Sequence, residues 1–140
     1  MNIQDKTKII YSNCKQLKSY DVDNHIEINS SEEAYLIQDE FIKMREKDGN
    51  RSIGGWKIAL TNPEMQELVK VDRPVEGAIL KPLIYKNNIS LKLKDYCHIG
   101  AEAEIALKIN KDIPIKKDGF KSKEEILPYL KEVVVALEIV

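Results

Sequence analysis

Only two cysteines, Cys14 and Cys97, occur in 140 residues, far apart and in no CxxC spacing. They offer neither a disulfide framework nor a zinc site. Long apolar runs are missing as well. The opening stretch MNIQDKTKIIYSNCKQ contains no uninterrupted apolar segment, so no signal peptide is expected. No stretch approaches the ~18 apolar residues of a membrane span. A reduced, cytoplasmic, soluble protein is the expectation, without a membrane partner. Charge of one sign is not in excess either: Lys and Arg number 22, Asp and Glu 23. That balance argues against a nucleic-acid partner, which would call for a basic excess or stripe. The run KDIPIKKDGFKSKEE mixes both signs, as a solvated loop and helix start do. There is no internal repeat and no low-complexity tract.

What is present is enough for a core. The chain has a one-domain length, since domains run about 100–200 residues, and 43% of it is hydrophobic. The pattern predicts an α+β fold, with N-terminal helices over 1–50 followed by a β-rich catalytic region over 51–140. A first helix is expected over DKTKIIYSNCKQLKSY, with Ile9, Ile10, Cys14 and Leu17 near helical spacing. A connector over 21–31 leads to a second helix. Ser30 and Glu33 form a capping box there, and Ala34, Ile37, Phe41 and Met44 share one stripe. Gly49 ends it.

SIGGWKIAL then reads as a strand. TNPEMQELVKV is a short helix capped by Thr61 or Asn62, with Pro63 in its first turn. DRPVEGAILKPLIY is a turn and a strand, and ISLKLKD is an alternating strand. GAEAEIALKI is a longer one. SKEEILPYLKEV suggests a helix disturbed by Pro128, with Ser122 and Glu125 as its capping box. VVVALEIV closes as an apolar, buried strand of the kind that needs neighbours on both sides. The β-rich region is therefore expected to be incomplete at its C-terminus.

Three acids stand out. Glu102 and Glu104 are two apart on one strand, so their side chains share a face. Glu138 is the single charge in VVVALEIV. A carboxylate among apolar residues needs a partner. If the two strands converge, three carboxylates suit a hard divalent cation, Mg²⁺ or Mn²⁺. Zinc fits less well, because no His or Cys joins the set; His98 is near but out of phase with Glu102. The competing reading is a solvated strand face. Lys57 lies between Trp56 and Ile58 in an otherwise apolar strand. A lysine so placed can have a lowered pKa and move protons; the competing reading is again the wet face of a strand.

EEAYLIQDEF, GWKIALTNPEMQELVKVDRPVEGAIL, GAEAEIAL and VVVALEIV occur in that order. Together they resemble the 2-keto-4-pentenoate hydratase and 4-oxalocrotonate decarboxylase family, within the fumarylacetoacetate hydrolase superfamily, over Ser31 to Val140. The resemblance implies a mixed sheet that begins a fumarylacetoacetate-hydrolase-like β-roll. It implies Mg²⁺ or Mn²⁺ on Glu102, Glu104 and Glu138, and an active-site role for Lys57. The implied activity is that of a metal-dependent lyase on small 2-oxo or 2-hydroxydienoic acids in aromatic-compound catabolism, a hydratase ahead of a decarboxylase, in a homo-oligomer when full length. An acylpyruvate hydrolase of the same superfamily is a further implied possibility, and a truncated, non-catalytic oligomerising remnant is the alternative of another class. One departure bears on the choice. Hydratases of the family tend to carry an aspartate after the proline of DRPVEG, where this chain has Val75, followed by Glu76.

Overall fold

The computed structural model describes residues 1–18, 26–49 and 52–140. The chain divides into two compact units, Met1–Cys97 and His98–Val140. Each is described by itself.

The first unit opens on α1, Ile3–Lys15, and α2, Ser31–Lys47. Asn2 caps α1 by accepting from the Asp5 amide at 2.9 Å. The helix ends sooner than the sequence pattern predicts. Leu17 takes a positive φ of 53° beyond its last turn, so it does not continue the apolar stripe. The last part of that expected helix and the start of the connector lie outside the described residues. At α2 the capping box forms with one change of partner. The Ser30 hydroxyl accepts from the Glu33 amide at 3.1 Å. The Glu33 carboxylate accepts from the Asn29 amide at 2.8 Å, one residue before the cap. The expected stripe is graded: Ile37 is buried, Phe41 and Met44 are half-buried, and Ala34 is exposed.

A buried lysine locks the two helices. Lys6 donates to the Glu27 carbonyl and to the Glu33 carboxylate. Burying an ammonium is tolerable only with such partners. Further along, Tyr11 meets Phe41 edge-to-face at 5.9 Å, and its hydroxyl donates to Asp48.

Strand β1, Ile53–Ala59, pairs antiparallel with β2, Val75–Leu80. Between them α3, Pro63–Val69, starts at Asn62, whose Oδ1 accepts from the Met65 amide at 2.8 Å. Gly54 is the extra residue of a bulge between Ile53 and Gly55. A Cβ there would stand 2.7 Å from the Lys81 Cα, closer than real contacts allow. The outer edge of β2 is closed by α2 side chains. The Gln38 amide donates to the Glu76 carbonyl and accepts from the Ala78 amide, at 3.2 and 3.1 Å. The Tyr35 hydroxyl accepts from the Glu76 amide at 3.2 Å. These bonds satisfy backbone groups that would otherwise be an open sheet edge.

Two expected strands are corrected here. The strand read in DRPVEGAILKPLIY stops at Leu80, where Lys81–Leu83 form a 3-10 turn containing Pro82. Proline has no N–H to extend a ladder. ISLKLKD forms no strand; Leu93–Asp95 are a 3-10 turn. Its alternation finds no neighbouring strand to pair with among the described residues.

In the second unit, β3, Ala101–Ile109, pairs antiparallel with β4, Leu130–Ile139. The helix expected in SKEEILPYLKEV is instead two 3-10 turns, Lys123–Glu125 and Leu127–Tyr129. Pro128 withholds the amide a longer helix needs. This loop packs on itself, with Phe120 edge-to-face on Tyr129 at 6.1 Å. The described strands form two separate two-stranded antiparallel sheets rather than one mixed sheet. The closing strand was expected to be buried between neighbours. Among the described residues it has one neighbour, β3, and Val135 is 89% exposed. No helix among the described residues is long and apolar enough to cross a membrane.

Candidate metal centre

The β3–β4 register decides which residues meet. Glu102 stands directly opposite Glu138, and Glu104 opposite Ala136. Alternation along β3 puts Glu102, Glu104, Ala106 and Lys108 on one face. Their cross-strand partners Glu138, Ala136, Val134 and Glu132 share it. The opposite face holds Ile105, Leu107, Val133, Val135 and Leu137. The ribbon is thus two-sided, and all its acids are on one side.

Glu102, Glu104 and Glu138 each offer a carboxylate oxygen, and these lie within 4.8 Å of one another. Glu102 and Glu104 are exposed and Glu138 is half-buried. Three like charges at this range oppose one another. A pair about 4 Å apart costs roughly 1 kcal/mol in bulk water and roughly 4 kcal/mol at the effective dielectric near a protein surface. An all-oxygen set of this charge matches Mg²⁺ or Mn²⁺ in donor type. Two rungs along the same face, Lys108 donates to Glu132 at 2.7 Å and holds that carboxyl below its ordinary range.

Lys57 lies on β1, in the first unit, directly opposite Gly77. Of the two readings of its strand, the wet face fits: Lys57 is exposed. The sheet around it has two strands, and its neighbours Trp56 and Ile58 are themselves exposed, at 60% and 65%. Its methylene stem lies over Gly77, a relation that single-strand patterns do not show. Val75 stands opposite Ala59, two residues along β2 from Gly77.

No protein-family model matches the chain. Among curated proteins, it is 33% identical over 107 residues to a 2-keto-4-pentenoate hydratase of Burkholderia vietnamiensis, covering 76% of this chain and 39% of that one. It is 32% identical over 120 residues to a 2-hydroxyhexa-2,4-dienoate hydratase of Comamonas testosteroni, covering 84% and 44%. This chain resembles the 2-keto-4-pentenoate hydratases. A third relative of that name, from Paraburkholderia phymatum, is 33% identical over 87 residues. The hydratase resemblance takes in most of this chain, yet the chain spans less than half the length of the curated relatives it matches.

Proposed function

We propose that this chain carries the metal-holding part of a divalent-metal-dependent hydro-lyase acting on 2-oxo or 2-hydroxydienoic acids. The substrate class is that of 2-hydroxypenta-2,4-dienoate, and the reaction adds water across its conjugated double bond. One observation carries the reading: three glutamates, in a chain a third identical to named hydratases, bring their carboxylates within 4.8 Å. Glu102, Glu104 and Glu138 would hold Mg²⁺ or Mn²⁺. Such an ion supplies Lewis-acid stabilisation of negative charge developing on a 2-oxo group. The three carboxylates would hold the ion at a fixed place, because they project from two paired strands rather than from a loop. Lys57 would give or take a proton at the substrate's carbon chain, as a general acid or base. The two sheets are read as the first strands of a fumarylacetoacetate-hydrolase-like β-roll, in a protein that works as a homo-oligomer.

A second reading, a carboxy-lyase on the same scaffold, is favoured by Val75, which replaces the aspartate expected of a hydratase. Turnover of 2-hydroxypenta-2,4-dienoate and of 2-oxo-3-hexenedioate, with Mg²⁺ and then with EDTA, separates the two. Hydration of the first substrate, abolished by EDTA and restored by Mg²⁺, is the expected result. Metal-independent turnover, or CO₂ release from the second substrate alone, would reject the hydratase assignment. Lys57→Ala should lower kcat at least a hundredfold while Mn²⁺ binding stays within twofold. Unchanged turnover would remove Lys57 from the chemistry.

A further inference from the structure

A glycine inside a strand gives up side-chain packing and often marks a close approach. Gly77 sits in the middle of β2, in VEGAIL, directly across from Lys57. What approaches it is the lysine itself. A Cβ placed on Gly77 would lie 3.4 Å from Cγ, 3.9 Å from Cδ and 3.4 Å from Cε of Lys57. The stem therefore runs past the place a side chain at position 77 would fill, with three successive methylenes in reach of it. A lysine chain has about four rotatable bonds and a correspondingly large rotamer entropy. Contact along its stem selects among those rotamers and so sets where the ammonium stands.

We propose that Gly77 is the positioning residue for Lys57: its missing side chain is the track along which the lysine stem lies. Its importance for catalysis rests on the role given to Lys57 above; the placement itself does not. A methyl at position 77 meets the stem at ordinary contact distance and leaves it in place. A branched side chain occupies the stem's course and lifts it from the sheet. Valine favours strands, so Gly77→Val alters the track without lowering β-propensity.

The test uses the full chain with ¹³C-labelled lysine. In the wild type, NOEs should connect the Gly77 Hα protons to the Lys57 side-chain methylenes. Gly77→Val should remove the contact at position 77 and move the Lys57 Cγ and Cε chemical shifts, with the other lysines unmoved. Gly77→Ala should keep the wild-type Lys57 shifts. If Gly77→Val does not fold, Gly77→Ser takes its place, with a smaller change at the same carbons. Identical Lys57 side-chain shifts in wild type and the larger variant, or absent NOEs in the wild type, overturn the proposal. Full turnover by Lys57→Ala would instead remove the catalytic role alone, and the NMR result would still decide the placement.

Discussion

At the scale of single residues, Glu104 and Glu33 show two ways a carboxylate is used. Glu104 belongs to a cluster of three acids on one sheet face. Neutralising it removes one of the charges that attract a cation and leaves only a weaker, neutral oxygen donor. Glu104→Gln should weaken Mn²⁺ binding, followed by electron paramagnetic resonance, at least tenfold, while thermal stability without metal holds or rises. Equal affinity would show that the cluster does not hold the ion. Glu33 is used structurally. The Asn29 amide, and then the Lys6 ammonium, hold its carboxyl below the usual carboxylate range. A carboxyl with a lowered folded pKa adds stability above its unfolded value, near pH 4.3. That stability is lost as pH falls through the folded value. Urea melts between pH 7 and pH 3 should therefore lose stability more steeply in the wild type than in Glu33→Gln. Parallel pH profiles would contradict the assignment.

At the scale of elements, the bulge of β1 depends on one missing atom. At Gly54 a side chain would collide with the Lys81 backbone, which cannot swing away as a flexible side chain could. Overpacking of this kind costs about 1–3 kcal/mol. Gly54→Ala should lower the unfolding free energy of the first unit by about that amount, read by chemical denaturation. Gly55 makes a useful control, since its nearest neighbour would be 3.9 Å from an added Cβ. Equal stability of Gly54→Ala and Gly55→Ala would show that the bulge relaxes freely. The caps follow the sequence closely. Asn62 and Ser30 were legible because an N-cap is a local event, settled by a side chain and an amide three residues on. The failed helix at SKEEILPYLKEV had a legible cause too, in Pro128. The failed strand ISLKLKD did not, because alternation states which face would be apolar but not whether a partner strand exists.

At the scale of the whole molecule, the exposed apolar face of β3–β4 is the dominant feature. Ile105 and Leu137 are 73% and 71% exposed, and Val135 more so. On soluble monomers the largest apolar patch is roughly 300–600 Å², and larger ones mark interaction surfaces. Purified at high concentration, the chain should bind a hydrophobic dye and sediment with a mass that rises with concentration. Val135→Lys should reduce both effects, because it places a charge among those residues. A monomer that binds no dye at several hundred micromolar would contradict this.

The helix starts at Ser30 and Asn62, the α+β character and the shared face of Glu102 and Glu104 were determined by the sequence alone. Each depends on residues within four positions of one another, where backbone geometry leaves little choice. Tertiary structure decided the rest. Glu138 joins the two acids only because the antiparallel register sets it opposite Glu102, and a slip of one residue would turn it to the apolar face. For Lys57 the pattern left an apolar setting and a wet strand face open, and the residue is exposed, because burial depends on how many layers cover a strand, not on its composition. Gly77 gained its contact with Lys57 from a strand pairing that spans α3. Such pairings are fixed by contacts far apart in the chain, and no local pattern carries them.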